Sequence, residues 1–265
     1  MRINRHWKQF LATHWTNTMI PKIIQEFFND IDNPWTMDFK TQEIPTFQNE
    51  GHLVDWIISK SGWPYLPLIL PGADFETMLK EAFGLEDLFV MHRTTPGENP
   101  EYANLGWKSI CLHGEAWDKT GHWEAYPDNA GKTQADIVYK WCNEITERCP
   151  ETTRYFRDVF PNHNYQRLRY MWLDPQGYIQ PHQDRQEHFL GPINVALNNP
   201  KGCEFKMDGK GYVPFKETGN ACLVDIGNIH SVWNNSDTPR IHIISHGGSR
   251  GDFNRIVVDS LMALL

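Results

Sequence analysis

The chain has no run approaching the ~20 consecutive apolar residues that a membrane-spanning helix needs, and it has no block of basic residues. Its 265 residues include 25 Lys and Arg against 33 Asp and Glu, a formal net charge of −8. A surface of that sign repels phosphate backbones, which argues against nucleic acid as a partner. The densest basic pair, Arg167 and Arg169, alternates with apolar residues as a strand would. Five cysteines, an odd number without a CxxC pair, argue against a structural zinc site and against a fully paired secreted framework. A reducing, cytoplasmic setting is expected. Positive charge over Met1 to Lys8 is followed by no apolar stretch, so no signal peptide is expected. Repeats, low-complexity tracts and long linkers are absent too, and a single domain over 1–265 is the expectation.

What is plentiful is aromatic. The 11 tryptophans suit a packed core, and such rings also line pockets for small molecules.

The texture changes along the chain. Residues 18–30 place Pro21 in a first turn with apolar residues at helical spacing, which predicts a helix. Residues 73–84 predict another, with Asp74 as N-cap, Phe75, Met78, Leu79 and Ala82 on one face, and Gly84 as the stop. Further helices are expected from Thr133 to about Cys149 and over 151–160. Between them, 90–130 is rich in Gly, Pro, Asn and His, with one strand over Trp107 to Leu112; loops of that length are uncommon unless functional. From Tyr165 the pattern turns to short strands separated by turn residues: 166–173, 177–183, 193–197, 203–207, 212–215, 221–226 and 240–245. Strands so closely spaced suggest an all-β sandwich or barrel, and a jelly roll is the natural candidate. The expected fold class is therefore α+β. Helices mainly from the N-terminal half buttress the jelly roll, with a helical and loop-rich support region over 1–160 and a catalytic core over 161–250.

One constellation carries chemistry. His182 and Asp184 lie two apart on a predicted strand and so share a face. His230 follows the strand 221–226, after the Gly227-Asn228 turn. Two His and one carboxylate on one face of an octahedron leave three positions open, which is the facial triad of non-haem iron(II) oxygenases. The His-x-Asp spacing alone is weak, because 12 His and 17 Asp make about one match expected by chance. His113-Gly-Glu115 and His122-Trp-Glu124 are near-matches of that kind. The pair at 182 is set apart by the turn and strand Pro175-Gln-Gly-Tyr-Ile-Gln-Pro181 before it and the spaced His230 after it. Arg240, ten residues further on, opens a strand. A guanidinium fork there suits the distal carboxylate of 2-oxoglutarate.

These segments resemble the catalytic core of the aspartyl/asparaginyl β-hydroxylase family. The likeness runs from Leu173 to Gly247: Pro175 through His182, the turn Asn199-Pro-Lys-Gly-Cys203, Asp225 through Asn234 with His230, and Arg240. Trp107 to Leu112 with His113-Gly114 resembles a strand that this family places ahead of the core. The resemblance implies a double-stranded β-helix oxygenase with His182, Asp184 and His230 as iron(II) ligands and Arg240 as the 2-oxoglutarate clamp. It further implies consumption of O2, release of succinate and CO2, and hydroxylation of an amino acid, a peptidyl residue or a small metabolite. Animal members have Gly where Asp184 stands, whereas bacterial relatives that hydroxylate free amino acids carry the full triad. A carboxylate there also argues against a halogenase, which leaves that coordination site for halide. The family often has an Arg and a His on the strand that here reads Pro192-Ile193-Asn194; Asn194 remains as a hydrogen-bonding group for the co-substrate.

Two other functions share the pattern. A jelly-roll metal-binding scaffold without turnover would be marked by loss of a ligand or of the Arg. A cupin-type hydrolase or isomerase uses more His ligands. His242 and His246 continue the Arg240 face and could approach the pocket, with a hydrogen-bonded place in the core as the expectation; Trp172 and Trp233 are expected in the core. For Arg167 and Arg169, pocket and solvent are equally expected, while His113, Glu115, His122 and Glu124 belong to a loop that could fold over the site.

Overall fold

A computed structural model describes residues 20–29, 37–92, 104–249 and 251–265. Its strands are β1 (Tyr65–Leu68), β2 (Val90–Met91), β3 (Leu105–Gly114), β4 (Lys140–Trp141), β5 (Asn162–His182), β6 (Ile193–Ala196), β7 (Cys203–Met207), β8 (Gly211–Tyr212), β9 (Asn220–Val224), β10 (His230–Asn234) and β11 (Arg240–Ser249). The strand order is β1-β9-β6-β11-β5-β10-β7-β8, with β3 also paired to β5. The two predicted strands 166–173 and 177–183 are one bent strand. Its first half pairs with β11 and its second with β10, so β5 takes part in two antiparallel sheets that curl toward each other. β9-β6-β11-β5 builds one wall and β5-β10-β7-β8 the other, which is the double-stranded β-helix.

The bend in β5 falls at Asp174–Gly177, where Gln176 has φ +60. A Cβ on Gly177 would stand 2.7 Å from Leu105 O and 2.8 Å from Asp174 O. Both are backbone atoms with little room to move. Gly177→Ala is therefore expected to destabilise the protein by about 2 kcal/mol or more, measured as a lowered urea midpoint.

Along β5, Leu168, Tyr170 and Trp172 point outward beneath helices, while Arg167, Arg169 and Met171 line the interior cavity. The helix α1 (Lys22–Asn29) lays Ile24 and Phe28 on Tyr178 and Trp233. α2 (Glu50–Ser59) begins at Asn49, whose Oδ1 accepts from His52 N. α3 (Phe75–Phe83) starts at the expected cap, Asp74 Oδ1 accepting from Thr77 N at 2.9 Å, and ends at Gly84. Its Phe83 meets Trp172 edge-on at 5.6 Å. Of the first predicted helix, residues 18, 19 and 30 lie outside the described residues. Among the described residues, no helix is long and apolar enough to cross a membrane.

The helix expected over 133–149 does not form as one element. Only α4 (Asn143–Thr146) is helical in the α sense, after a single tight turn at 134–136. The intervening Ile137-Val-Tyr-Lys-Trp141 is β-branched and aromatic, and Lys140–Trp141 instead extends the sheet as β4 against His113 and Gly114 of β3. α5 (Pro150–Arg154) follows and widens into a π turn through Val159, close to the helix expected over 151–160. Glu81 of α3 caps it, accepting from Glu151 N and Thr152 N. The strand expected over 212–215 stops at Tyr212, because Pro214 has no N–H to give to a ladder. α6 (Phe253–Met262) covers the free edge of the sheet, where Ser260 Oγ accepts from Ile69 N just past β1.

Candidate metal centre

His182 ends β5 and His230 opens β10, and the two are register partners across that antiparallel pair. Asp184 lies two residues past the strand, held by its own N–H, which donates to Ile226 O. His182 Nε2 stands 3.7 Å from Asp184 Oδ1, and His230 Nε2 stands 3.8 Å from Asp184 Oδ2. The three expected residues are the one such cluster of metal-competent side chains among the described residues.

Each imidazole is oriented by its own backbone. His182 Nδ1 lies 2.8 Å from Gln180 O, and His230 Nδ1 lies 2.9 Å from Asn228 O. A carbonyl oxygen can only accept, so Nδ1 carries the proton in both rings and both Nε2 lone pairs face the gap beside Asp184. Two neutral imidazole nitrogens and one carboxylate, with the far ring nitrogens tied to backbone carbonyls, is the donor set and outer shell of a first-row metal site. The residues fit iron(II). Phe205 stacks on His230 at 5.3 Å between centroids, and Trp107 lies 6.4 Å from His182.

Asp225 was read from the sequence only as part of a motif. In the structure its buried carboxylate accepts from Gly227 N at 3.0 Å and from Asn228 Nδ2 at 3.0 Å, and it meets His188 Nδ1 at 2.9 Å. It thus ties the turn before His230 to the loop after Asp184. Asp225→Ala is expected to weaken metal binding about tenfold, measured by competition with a chelator, with Asp225→Asn falling between.

All three cluster residues line a cavity of about 380 Å³ within the barrel. Arg240 lines it too, at 4% exposure. Its Nη2 lies 2.9 Å from His242 Nδ1, its Nε has no hydrogen-bond partner, and Phe215 lies under the guanidinium. No carboxylate pairs with it among the described residues. Burial pushes its pKa down to about 10, so it stays charged at neutral pH. His242, fully buried behind it, is held well below the usual imidazole range by burial and by the charge of Arg240. Asn194 lines the cavity, with Oδ1 2.6 Å from the same His242 Nδ1.

The remaining candidates divide. Arg167, Arg169, His122 and His246 line the cavity, whereas His113 packs between Trp141 and Tyr165 outside it. Glu115 is tied to Lys119 and Asn129, and Glu124 to His122. Trp172 is core. His92 was missed: buried on the cavity wall, it meets Ser109 Oγ at 2.8 Å and Trp107 at 4.3 Å between centroids. No spacing in the sequence marks it.

Strand order and cluster together define a double-stranded β-helix protein with a candidate metal centre inside the barrel. The chain belongs to the aspartyl/asparaginyl β-hydroxylase family, whose sequence model matches residues 73–246. Its general kind is therefore that of the oxygenases. No curated protein matches the chain significantly. Among solved structures it is similar to a prolyl-4-hydroxylase of Pseudomonas putida, at 10% identity and a TM-score of 0.39 over 77% of this chain and 100% of that one. It is similar to a Trichoplax adhaerens prolyl hydroxylase solved with a hypoxia inducible factor peptide fragment, at 10% identity and a TM-score of 0.39 over 84% and 98%. HygX of Streptomyces hygroscopicus, solved with nickel and 2-oxoglutarate, gives 10% and 0.35 over 76% and 86%. These likenesses are distant, and the fold assignment rests on the strand order and the family.

Proposed function

We propose that this chain is an iron(II)- and 2-oxoglutarate-dependent oxygenase that hydroxylates an amino acid, a peptidyl residue or a small metabolite. One observation carries the reading. A buried arginine without an acidic partner among the described residues shares a cavity with two imidazoles and a carboxylate aimed at one point. Burying an unpaired charge costs several kcal/mol, and a structure that keeps one inside a barrel is built to receive an anion.

In this reading His182 Nε2, His230 Nε2 and an Asp184 oxygen hold the metal. Arg240 grips the distal carboxylate of 2-oxoglutarate, with Asn194 and His242 beside it. Bound iron and 2-oxoglutarate supply oxygen activation coupled to decarboxylation, with succinate and CO2 as co-products. The chain's own residues do the rest. The bonds from Nδ1 to Gln180 O and Asn228 O keep the two rings from turning. Ile179, Val232 and Phe205 wall the space around the cluster with apolar surface, which excludes water and strengthens the pairing at Arg240. The five cysteines are all buried and unpaired, as suits the reducing, cytoplasmic setting that forms part of the proposal.

The test is succinate formation by the purified chain with iron(II), 2-oxoglutarate and oxygen. Activity that disappears in His182→Ala and in Arg240→Ala supports the reading. Protein that binds metal and 2-oxoglutarate yet makes no succinate with any amino acid, peptide or nucleotide is a binding scaffold instead.

A further inference from the structure

Among the described residues, Arg240 is held by neutral groups alone. It opens β11, and His242, two positions on, shares its face. β6 lies beside β11 and sets Asn194 opposite Ile244, diagonal to His242 on the adjoining strand. The side chains of Arg240, His242 and Asn194 are all buried, at 4%, 0% and 6% exposure, and they meet at one atom. His242 Nδ1 lies 2.9 Å from Arg240 Nη2 and 2.6 Å from Asn194 Oδ1. Phe215 closes the group, its ring 4.6 Å from that of His242 and 5.8 Å from the guanidinium carbon.

A guanidinium can only donate, so a bond from Nη2 requires the lone pair of Nδ1 and a neutral ring. Burial and the charge of Arg240 hold His242 in its neutral form near neutral pH. The amide of Asn194 carries a donor end and an acceptor end, and no charge. The second ring nitrogen of His242, Nε2, is buried without a hydrogen-bond partner, as is Arg240 Nε. Leaving a buried polar atom unsatisfied costs free energy, so a phenyl ring at 242 would pack against Phe215 at lower cost. What the imidazole supplies and a phenyl ring does not is Nδ1 beside Nη2.

We infer that His242 is a positioning residue, braced by Asn194, which fixes the Arg240 guanidinium for the distal carboxylate of 2-oxoglutarate and leaves its charge uncancelled. This deepens the function proposed above and rests on it for the identity of the anion. An acidic residue in either place would orient the guanidinium but also pair with it, and the co-substrate would have to displace that partner. Neutral bracing keeps orientation and charge together.

The test is calorimetric titration of 2-oxoglutarate into the full chain loaded with nickel(II) in place of iron, so that no turnover occurs. His242→Phe keeps a ring against Phe215 and removes Nδ1. It is expected to weaken 2-oxoglutarate binding about tenfold or more, with nickel affinity little changed. His242→Asn should recover much of the loss, because its Oδ1 can take the place of Nδ1. In the Arg240→Ala background His242→Phe should lose nothing further, since the ring acts through the arginine. Asn194→Asp should lower the affinity for 2-oxoglutarate while raising the melting temperature of the ligand-free protein, as its carboxylate pairs with the buried charge. A merely structural role would move stability and affinity together. The inference is overturned if folded His242→Phe binds 2-oxoglutarate as wild type does, if His242→Asn is as weak as His242→Phe, or if the loss persists in the Arg240→Ala background. Where thermal unfolding shows that His242→Phe does not fold, Asn194→Asp decides, and wild-type affinity there overturns it. A wild-type chain that takes no 2-oxoglutarate overturns the co-substrate reading and this inference with it, whereas each of the variant outcomes leaves that reading standing.

Discussion

Arg240→Ala is expected to raise the concentration of 2-oxoglutarate needed for half-maximal succinate formation by about a hundredfold, while the iron requirement changes only a few-fold. Truncating one partner of a buried, hydrogen-bonded charge pair costs about 2–5 kcal/mol, and the lower half of that range already gives such a factor. The substitution should not simply unfold the protein. Without ligand Arg240 is a buried charge lacking an acidic partner among the described residues, with its Nε unbonded, and removing an uncompensated charge from a core tends to stabilise it. The expected signature is thus double: the melting temperature of the ligand-free protein holds or rises, and its increase on adding 2-oxoglutarate disappears. Arg240→Lys should recover part of the affinity, since an ammonium keeps the charge but cannot fork. A 2-oxoglutarate requirement unchanged in Arg240→Ala would remove the co-substrate from this end of the cavity.

His182→Ala should weaken metal binding by more than the 10–100-fold typical of losing an outer-shell partner, and abolish succinate formation with it. His182 also holds its neighbour in place, its ring lying 4.3 Å from that of His230, so one substitution disturbs both nitrogen donors. Asp184→Gly should be milder. It removes the carboxylate of the proposed ligand set and should lower metal affinity, but both Nε2 atoms keep their aim through Gln180 O and Asn228 O. Residual turnover at excess iron is therefore expected. Succinate formation under oxygen, with iron varied in wild type, His182→Ala and Asp184→Gly, separates the cases. Equal iron dependence in all three would move the metal elsewhere.

Much of the candidate site was legible because its signals are local or come from short-range periodicity. His182 and Asp184 share a face by strand geometry, and Arg240 opens the strand that the pattern RIHIIS predicts. The turn Gly227-Asn228 before His230 is written in the residues. The cap and stop of α3, Asp74 and Gly84, were equally readable, since a side-chain cap and a helix stop act within one turn. What lay beyond reach depended on partners distant in the chain. Ile137 to Trp141 carries enough apolar residues for a helix, yet Trp141 pairs with His113, and no local pattern announces a strand of two residues. His92 reaches the cavity only because β2 pairs with β3 beside Trp107, and Asp225 becomes a brace only once the loop with His188 folds over it.

By itself the sequence determined the period-two alternation of Arg167, Arg169 and Met171 against Leu168, Tyr170 and Trp172, and the identity of three metal-competent side chains. It left open which of those two faces was the inside. An amphipathic strand ordinarily turns its polar face to water, which made the arginines as much surface residues as pocket residues. Only the tertiary structure decided otherwise. Helices cover the apolar outer face, with Phe83 on Trp172 and Thr152 accepting from Tyr170, so the polar face has nowhere to go but into the barrel. There the opposite sheet brings His182 and His230 together beside a cavity of about 380 Å³. The physical reason is that alternation is a property of one strand, whereas inside and outside are properties of what packs against it.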